Sequence, residues 1–321
     1  MNKNIHILFW STYNPITDIT LEDWINRKIN ISAFHFLTLH SHIKQGNKTI
    51  LYSYQKFNNN QIPKGIIIAD ASQYFPSNVA FKALNEGHSI AHISDAVRLK
   101  SASEKLGIVL DMDAVILKKL PEEEGWFASM PSKMTGGFAP KWGESHPPLF
   151  ISDKNWDGKA LGAFPIKVSK SISKHTMSLS HKIMITLMEK PKTNSNAWNY
   201  VIWTIKKIMF IDNKLKVYKP ISFCPLPAWL HKGKCYSLES PTRLNGNTEL
   251  FGHKLPAIKE IFENSFVIQH FFESAFQKAS KVNLRFWELL PEDSLLAMEC
   301  KFVFGSNWRD CLINKKLNIE E

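Results

Sequence analysis

Gly107-Ile108-Val109-Leu110-Asp111-Met112-Asp113-Ala114-Val115-Ile116-Leu117 is an apolar run broken by two carboxylates spaced i, i+2. The run reads as a buried strand that delivers Asp111 and Asp113 to its end. On a strand, residues two apart point to the same side. Two carboxylates held together repel unless a cation lies between or beside them. A hard divalent ion with oxygen ligands suits such a pair, and a phosphate can complete its shell. The stretch therefore points to metal-assisted chemistry on a phosphate ester or anhydride. The plainer reading is a pair of solvated carboxylates at a strand end.

Outward from this stretch, the first third of the chain alternates strand and helix. Residues 5–10 read as a buried strand and residues 21–45 as mostly helical, with Phe34, Leu37 and Ile43 on one face and Gly46 as the stop. Strands follow at 49–54 and 65–69, separated by a polar turn over 57–63. Ser94 reads as the N-cap of a helix reaching Leu106, and Gly107 ends it. The pattern is that of an α/β fold with a site at strand ends. Further along, residues 134–148 read as a long loop, 169–189 and 197–209 as helices, 220–252 as largely irregular, and 266–269 as a short strand before His270.

The bulk composition fits an ordinary globular protein: 321 residues, 44% hydrophobic and 21% charged. No apolar run reaches the ~18 residues needed to span a bilayer. The run 5–10 is too short for a signal-peptide core, so the expected location is the cytoplasm, with peripheral contact at the inner membrane face. Cys224, Cys235, Cys300 and Cys311 form no C-x-x-C pair and are expected to be reduced. The net charge of +11 suits an anionic partner such as lipid headgroups, a phosphorylated glycan or a nucleotide. The basic residues form no dense block and no nucleic-acid motif, so nucleic acid is not expected.

The block Ser94-Asp95-Ala96-Val97-Arg98, followed after nine residues by Ile108-Val109-Leu110-Asp111-Met112-Asp113, resembles the "SD-x-x-R … G-I-Y-x-D-x-D" signature of glycosyltransferases carrying the DXD motif. That group includes fungal α-1,6-mannosyltransferases, α-1,4-galactosyltransferases, bacterial surface-glycan transferases and glucosylating toxins. The opening Ile5-His6-Ile7-Leu8-Phe9-Trp10 resembles the group's first strand. His270-Phe271-Phe272-Glu273-Ser274-Ala275-Phe276 resembles its closing "H-x-W-x-x-S-W" motif, with phenylalanines in place of both tryptophans. A further departure is Lys105-Leu106-Gly107 where the group has "Y-G-G".

The resemblance implies a GT-A-like fold: a Rossmann-like nucleotide-binding part over residues 1–125 and an acceptor-binding part over 126–321, together one continuous domain. It implies a retaining hexosyltransferase that moves a sugar from a nucleotide-sugar donor, UDP-linked, to a bacterial surface glycan such as lipopolysaccharide or capsule. Asp113 would ligate Mn²⁺ or Mg²⁺. Asp111 would hold the donor ribose or sugar and reach the metal through water. Asp95 would recognise the donor sugar, and Arg98 would contact its phosphate or sugar. Trp10 and Ser11 would line the nucleotide site, and His270 would be a further metal or phosphate ligand. The plainer reading of Asp95 and Arg98 is a salt bridge on the first turn of a helix.

Three other functions compete. One is an effector-type transferase acting on a protein. Another is a phosphatase resembling haloacid-dehalogenase-like hydrolases, with Asp111 as nucleophile; that motif normally opens its fold, whereas here more than 100 residues precede it. The last is a non-catalytic polyanion binder, which accounts for the charge and leaves the carboxylate pair unexplained.

Overall fold

The computed structural model of the protein describes residues 5–11, 19–58, 61–123, 126–130, 160–167, 182, 185–186, 216–218, 220–223, 225, 249–250, 253–254, 256–270 and 284–313. Its frame begins with β1 (Ile5–Phe9), α1 (Leu21–Asn26), β2 (Lys28–Ile29), α2 (Ala33–Lys44), β3 (Lys48–Ser53), β4 (Lys56–Phe57) and β5 (Ile66–Asp70). Then come α3 (Ser77–Asn85), α4 (Ile90–Lys105), β6 (Ile108–Val109), β7 (Ala114–Ile116), β8 (Trp126–Met130), β9 (Ala160–Lys167) and β10 (Lys216–Tyr218). The remainder is α5 (Pro220–Phe223), β11 (Glu249–Leu250), β12 (His253–Lys254), α6 (Ile258–Asn264), β13 (Val267–Gln269), α7 (Leu284–Leu289), α8 (Leu295–Phe304) and α9 (Trp308–Ile313).

The fold is α/β around a seven-stranded sheet of order β10-β8-β9-β6-β1-β3-β5. Strand β9 runs antiparallel to both of its neighbours, and the other pairings in this sheet are parallel. The chain runs outward from β1 to β3 and β5, then returns through α4 to β6 on the opposite side of β1. The C-terminal edge between β1 and β6 is thus a topological switch point, where open α/β sheets form a ligand crevice.

Alternation along β1 explains why both faces of the sheet are covered. Leu8 joins Leu51, Ile108 and Leu110 in a core shared with α2, through Phe34 and Leu37. Ile7 and Phe9 join Ile50, Tyr52 and Val109 in a second core with α3 and α4, through Ala80, Ile93 and Val97. A strand buried on both faces needs near-continuous apolar residues, as residues 5–9 and 107–110 provide. The C-terminal helices close the first core: Trp287, Leu295, Leu296 and Trp308 are buried beside α2 residues.

Two helix boundaries differ from expectation. The span 21–45 is not one helix. Thr20 and Asp23 form a capping box that starts α1, and Ser32 caps α2 by accepting from His35 N. Between these helices β2 pairs with β4. A second strong cap outweighs continued helical spacing at this point. Likewise Ser89, not Ser94, caps α4. Asp95 and Arg98 therefore stand beyond its first turn, and the helix-dipole argument for Asp95 lapses. At the other end Leu106 takes the left-handed conformation at φ 51°, and a Cβ on Gly107 would meet Ile7 Cδ1 at 2.6 Å and Ile5 O at 2.9 Å. Glycine is required there by close approach to β1 as much as by the helix stop.

The strand expected at 266–269 is present as β13, antiparallel to β7 with Gln269 opposite Ala114. The irregular span 220–252 contains at least the single turn α5 and strand β11. The expected loop 134–148 and helix 197–209 lie outside the described residues. The helix expected at 169–189 is described only at residues 182, 185 and 186, which are helical. Cys300 and Cys311 are free thiols. Among the described residues no helix is long and apolar enough to cross a membrane.

Beneath the sheet, His6 on β1 meets His42 on α2, with Nδ1 to Nδ1 at 2.8 Å. One Nδ1 must carry a proton and the other must accept it, so the two rings cannot both be charged. Burial pushes His6 and His35 down to about 3, and burial followed by the His6 charge pushes His42 well below the usual range. Unfolded histidines take up protons near pH ~6.5, and the folded ones resist until far lower pH. Stability is therefore complete above neutral pH and is lost as pH falls through this window, at ~1.4 kcal/mol per pH unit per histidine. Urea unfolding at pH 7.5 and pH 5.5 should show a loss of more than ~1 kcal/mol, and His6→Gln should flatten the slope. A profile flat across this window would refute neutral burial of these rings.

Candidate functional site at the β1–β6 switch point

At the end of β1, Trp10 N bonds Tyr52 O at 3.0 Å and continues the ladder. Its indole ring packs on His35 with centroids 3.9 Å apart, and Nε1 donates to Asn30 O at 3.2 Å. Ser11 is buried and its hydroxyl donates to Gln55 Oε1. Both residues thus stand at the strand end where a nucleotide was expected, already engaged with protein partners.

At the end of β6, Leu110 N bonds Ile7 O at 3.1 Å. The chain then turns, with Ala114 N reaching Asp111 O at 3.3 Å, before β7 begins. Asp111 and Asp113 consequently sit in a turn between strands rather than on one strand. They converge all the same: Gln269 Nε2 donates to Asp111 Oδ2 at 3.2 Å and also to Asp113 Oδ1.

Arg98 holds Asp111 from the opposite side. Its Nη1 donates to Asp111 Oδ1 and to Leu110 O, both at 2.5 Å, its Nη2 to Asp95 Oδ1 at 2.7 Å, and its Nε to Ser94 O at 3.4 Å. The Arg98 side chain is 5% exposed, against 32% for Asp111. Burial pulls the guanidinium pKa down, the Asp111 charge and then the Asp95 charge lift it, and the balance is upward. Arg98 remains a cation. Its place is behind Asp111, which makes it a positioning residue. Its burial differs from the exposed salt bridge of the plainer reading.

Asp95, Arg98, Asp111 and Asp113 thus form one network. Among these four side chains the carboxylates outnumber the guanidinium three to one. A hard divalent cation would neutralise that excess, and the carboxylates present the oxygen donors it favours. Among the described residues no three His, Cys, Asp or Glu side chains gather to hold an ion.

His270 lies beside the network through its backbone, its N bonding Asp113 O at 3.0 Å. Its Nε2, however, meets Glu299 Oε2 at 2.7 Å, with both side chains fully buried. Burial raises the Glu299 pKa, opposed by His270. The structure thus commits that ring nitrogen to α8 instead of to a cation. Adjacent residues on a strand face opposite sides, and it is Gln269 whose side chain reaches the carboxylates. Sequence reasoning missed Gln269. Its signal was a lone polar residue closing the apolar strand at 266–269, directly before the histidine of the closing motif.

Arg98→Ala removes the buried guanidinium that Asp95 and Asp111 share. Breaking such a cluster should cost ~3–5 kcal/mol in urea unfolding, well above the ~0–1 kcal/mol of an exposed pair. A loss under ~1 kcal/mol would show that the guanidinium does not hold the network.

No protein-family model matches the chain, and no curated protein matches it. Among solved structures it is similar to a chain described as "PaToxG Glycosyltransferase", at 16% identity and a TM-score of 0.33 over 66% of this chain and 72% of that one.

Proposed function

We propose that the protein is a metal-dependent glycosyltransferase that moves a sugar, with retention, from a UDP-linked nucleotide-sugar to a bacterial surface glycan such as lipopolysaccharide or capsule. The observation that supports this reading best is the position of Asp111 and Asp113: clamped side by side at the switch point of a parallel sheet, one strand from Trp10 and Ser11. Nucleotide ligands favour this crevice in open α/β sheets. The signature residues Asp95, Arg98, Asp111 and Asp113 are also the ones that meet in space.

Mn²⁺ or Mg²⁺ held by Asp113 and Asp111 would offset the charge that builds on the departing diphosphate. Arg98 fixes the orientation of Asp111, so the site is ordered before the donor arrives. Asp95 holds the other edge of the guanidinium and fixes its plane against Asp111. Trp10 offers a ring at the end of β1 for the nucleotide base. With retention, the acceptor attacks the face from which the nucleotide leaves, and the departing phosphate serves as base. No side-chain base is assigned. An effector-type transfer to a protein would use the same donor site and differ only in the acceptor. The positive charge of the chain suits docking on an anionic inner-membrane surface that carries the glycan acceptor.

Nucleotide-sugar hydrolysis without acceptor tests the reaction. One UDP-sugar should be hydrolysed with Mn²⁺ present, EDTA should abolish this, and added Mn²⁺ should restore it. Asp113→Asn should lower turnover by ~100-fold or more with an unchanged circular dichroism spectrum. Failure to hydrolyse any nucleotide-sugar overturns the transfer reading, and full turnover in EDTA overturns the metal.

Membrane docking has its own measurement. Binding should favour vesicles containing anionic lipid and weaken with salt, since charges are screened over ~10 Å at 0.1 M. Equal binding to neutral vesicles would refute an electrostatic anchor.

A further inference from the structure

The amide of Gln269 is buried and faces two carboxylates, and only one of its two polar atoms is satisfied. Its Nε2 bridges Asp111 and Asp113, while its Oε1 has no hydrogen-bond partner. A buried acceptor left unpaired is uncommon and calls for an explanation. An amide NH₂ between two carboxylates also carries partial positive charge at the place where the pair would otherwise attract a cation. The two ends of a glutamine amide are nearly the same size. A half-turn of the terminal torsion therefore exchanges oxygen for nitrogen without displacing neighbours.

We propose that Gln269 is an amide switch: its NH₂ holds the carboxylates together when no cation is present, and its carbonyl oxygen turns in to join them as a ligand when a hard divalent cation binds. The inference rests on the metal-dependent reading above. A cation beside Nε2 would repel the amide hydrogens, whereas Oε1 is an oxygen donor of the kind Mg²⁺ and Mn²⁺ accept. The position Oε1 now holds offers it no donor, so leaving it breaks no hydrogen bond. The swap turns a two-carboxylate pair into a three-oxygen set from this chain alone. Further coordination positions remain for water and for oxygens of a phosphate. The backbone around Gln269 is fixed by pairing with Ala114, so only the side chain needs to move.

The test is Mn²⁺ binding to the whole protein, without any nucleotide, followed by the loss of the free hexaaqua-Mn²⁺ signal in electron paramagnetic resonance. Thermal melting in EDTA and in Mn²⁺ accompanies it. Gln269→Leu should weaken Mn²⁺ binding by ~10-fold or more. Gln269→Glu keeps an oxygen but loses the bridging NH₂, which sets three carboxylates together. It should melt below the wild type in EDTA and gain more than the wild type from Mn²⁺. If Gln269→Leu does not fold, the Gln269→Glu comparison decides alone. Wild-type Mn²⁺ affinity in both variants overturns the switch. So does a lowered melting temperature with an unaltered Mn²⁺ gain, which is what a merely structural glutamine would give. A wild-type protein that binds no Mn²⁺ overturns both the switch and the metal. Mn²⁺ binding with the expected Gln269 effects, but no hydrolysis of any nucleotide-sugar, supports the switch while overturning the transfer reading.

Discussion

The buried guanidinium of Arg98 is the constraint on which the site depends. It ties a helix to the end of a strand: two bonds go to α4, through Ser94 O and Asp95, and two go to the chain just past β6, through Leu110 O and Asp111. A cation removed from water must find such partners or lose its charge. Satisfying it fixes the orientation of Asp111 and with it the mouth of the crevice. The sheet supplies the other half of the constraint, since the strand order reverses beside β1, where open α/β sheets form their ligand crevice.

Placed in sequence order, the parts of the site come from distant elements. Trp10 and Ser11 follow β1, Asp95 and Arg98 stand on α4, Asp111 and Asp113 follow β6, and Gln269 closes β13. Asp95, Arg98 and Asp111 meet because α4 leads directly into β6, and the parallel pairing of β1 with β6 sets Trp10 and Ser11 at the neighbouring strand end. Gln269 arrives only because β13 pairs with β7. The His270–Glu299 pair then anchors that strand to α8 and so links the carboxylates to the C-terminal helices.

The sheet strands β1, β3 and β6 were legible because burial on both faces demands apolar runs, and 5–9, 49–53 and 107–110 supply them; β5 was legible from its apolar run 66–69, although at the sheet edge Ile67 and Ile68 stand exposed. The nearness of Asp111 to Asp113 was legible from their spacing, although a turn rather than a strand produces it. The boundaries of α2 and α4 were not, because several serines compete as caps and only packing selects Ser32 and Ser89. The burial of Arg98 was hidden as well: helical spacing pairs it with Asp95 but says nothing of Leu110 O or Asp111. Gln269 was missed because its partners lie far along the chain, and long-range antiparallel pairing leaves no local pattern to read. His270 was noticed, but its fully buried partner Glu299 could not be placed from sequence.

The pairing of β13 with β7 also sets a timetable. Gln269 lies 156 residues beyond Asp113. At ribosomal rates of ~5–20 residues per second, the carboxylates emerge roughly 8–30 s before the amide that bridges them. During that interval the nascent chain carries two adjacent unbridged acidic side chains on an incomplete crevice. A newly made molecule is therefore electrostatically unfinished until β13 is synthesised, and premature termination anywhere before β13 leaves the carboxylates without their bridge.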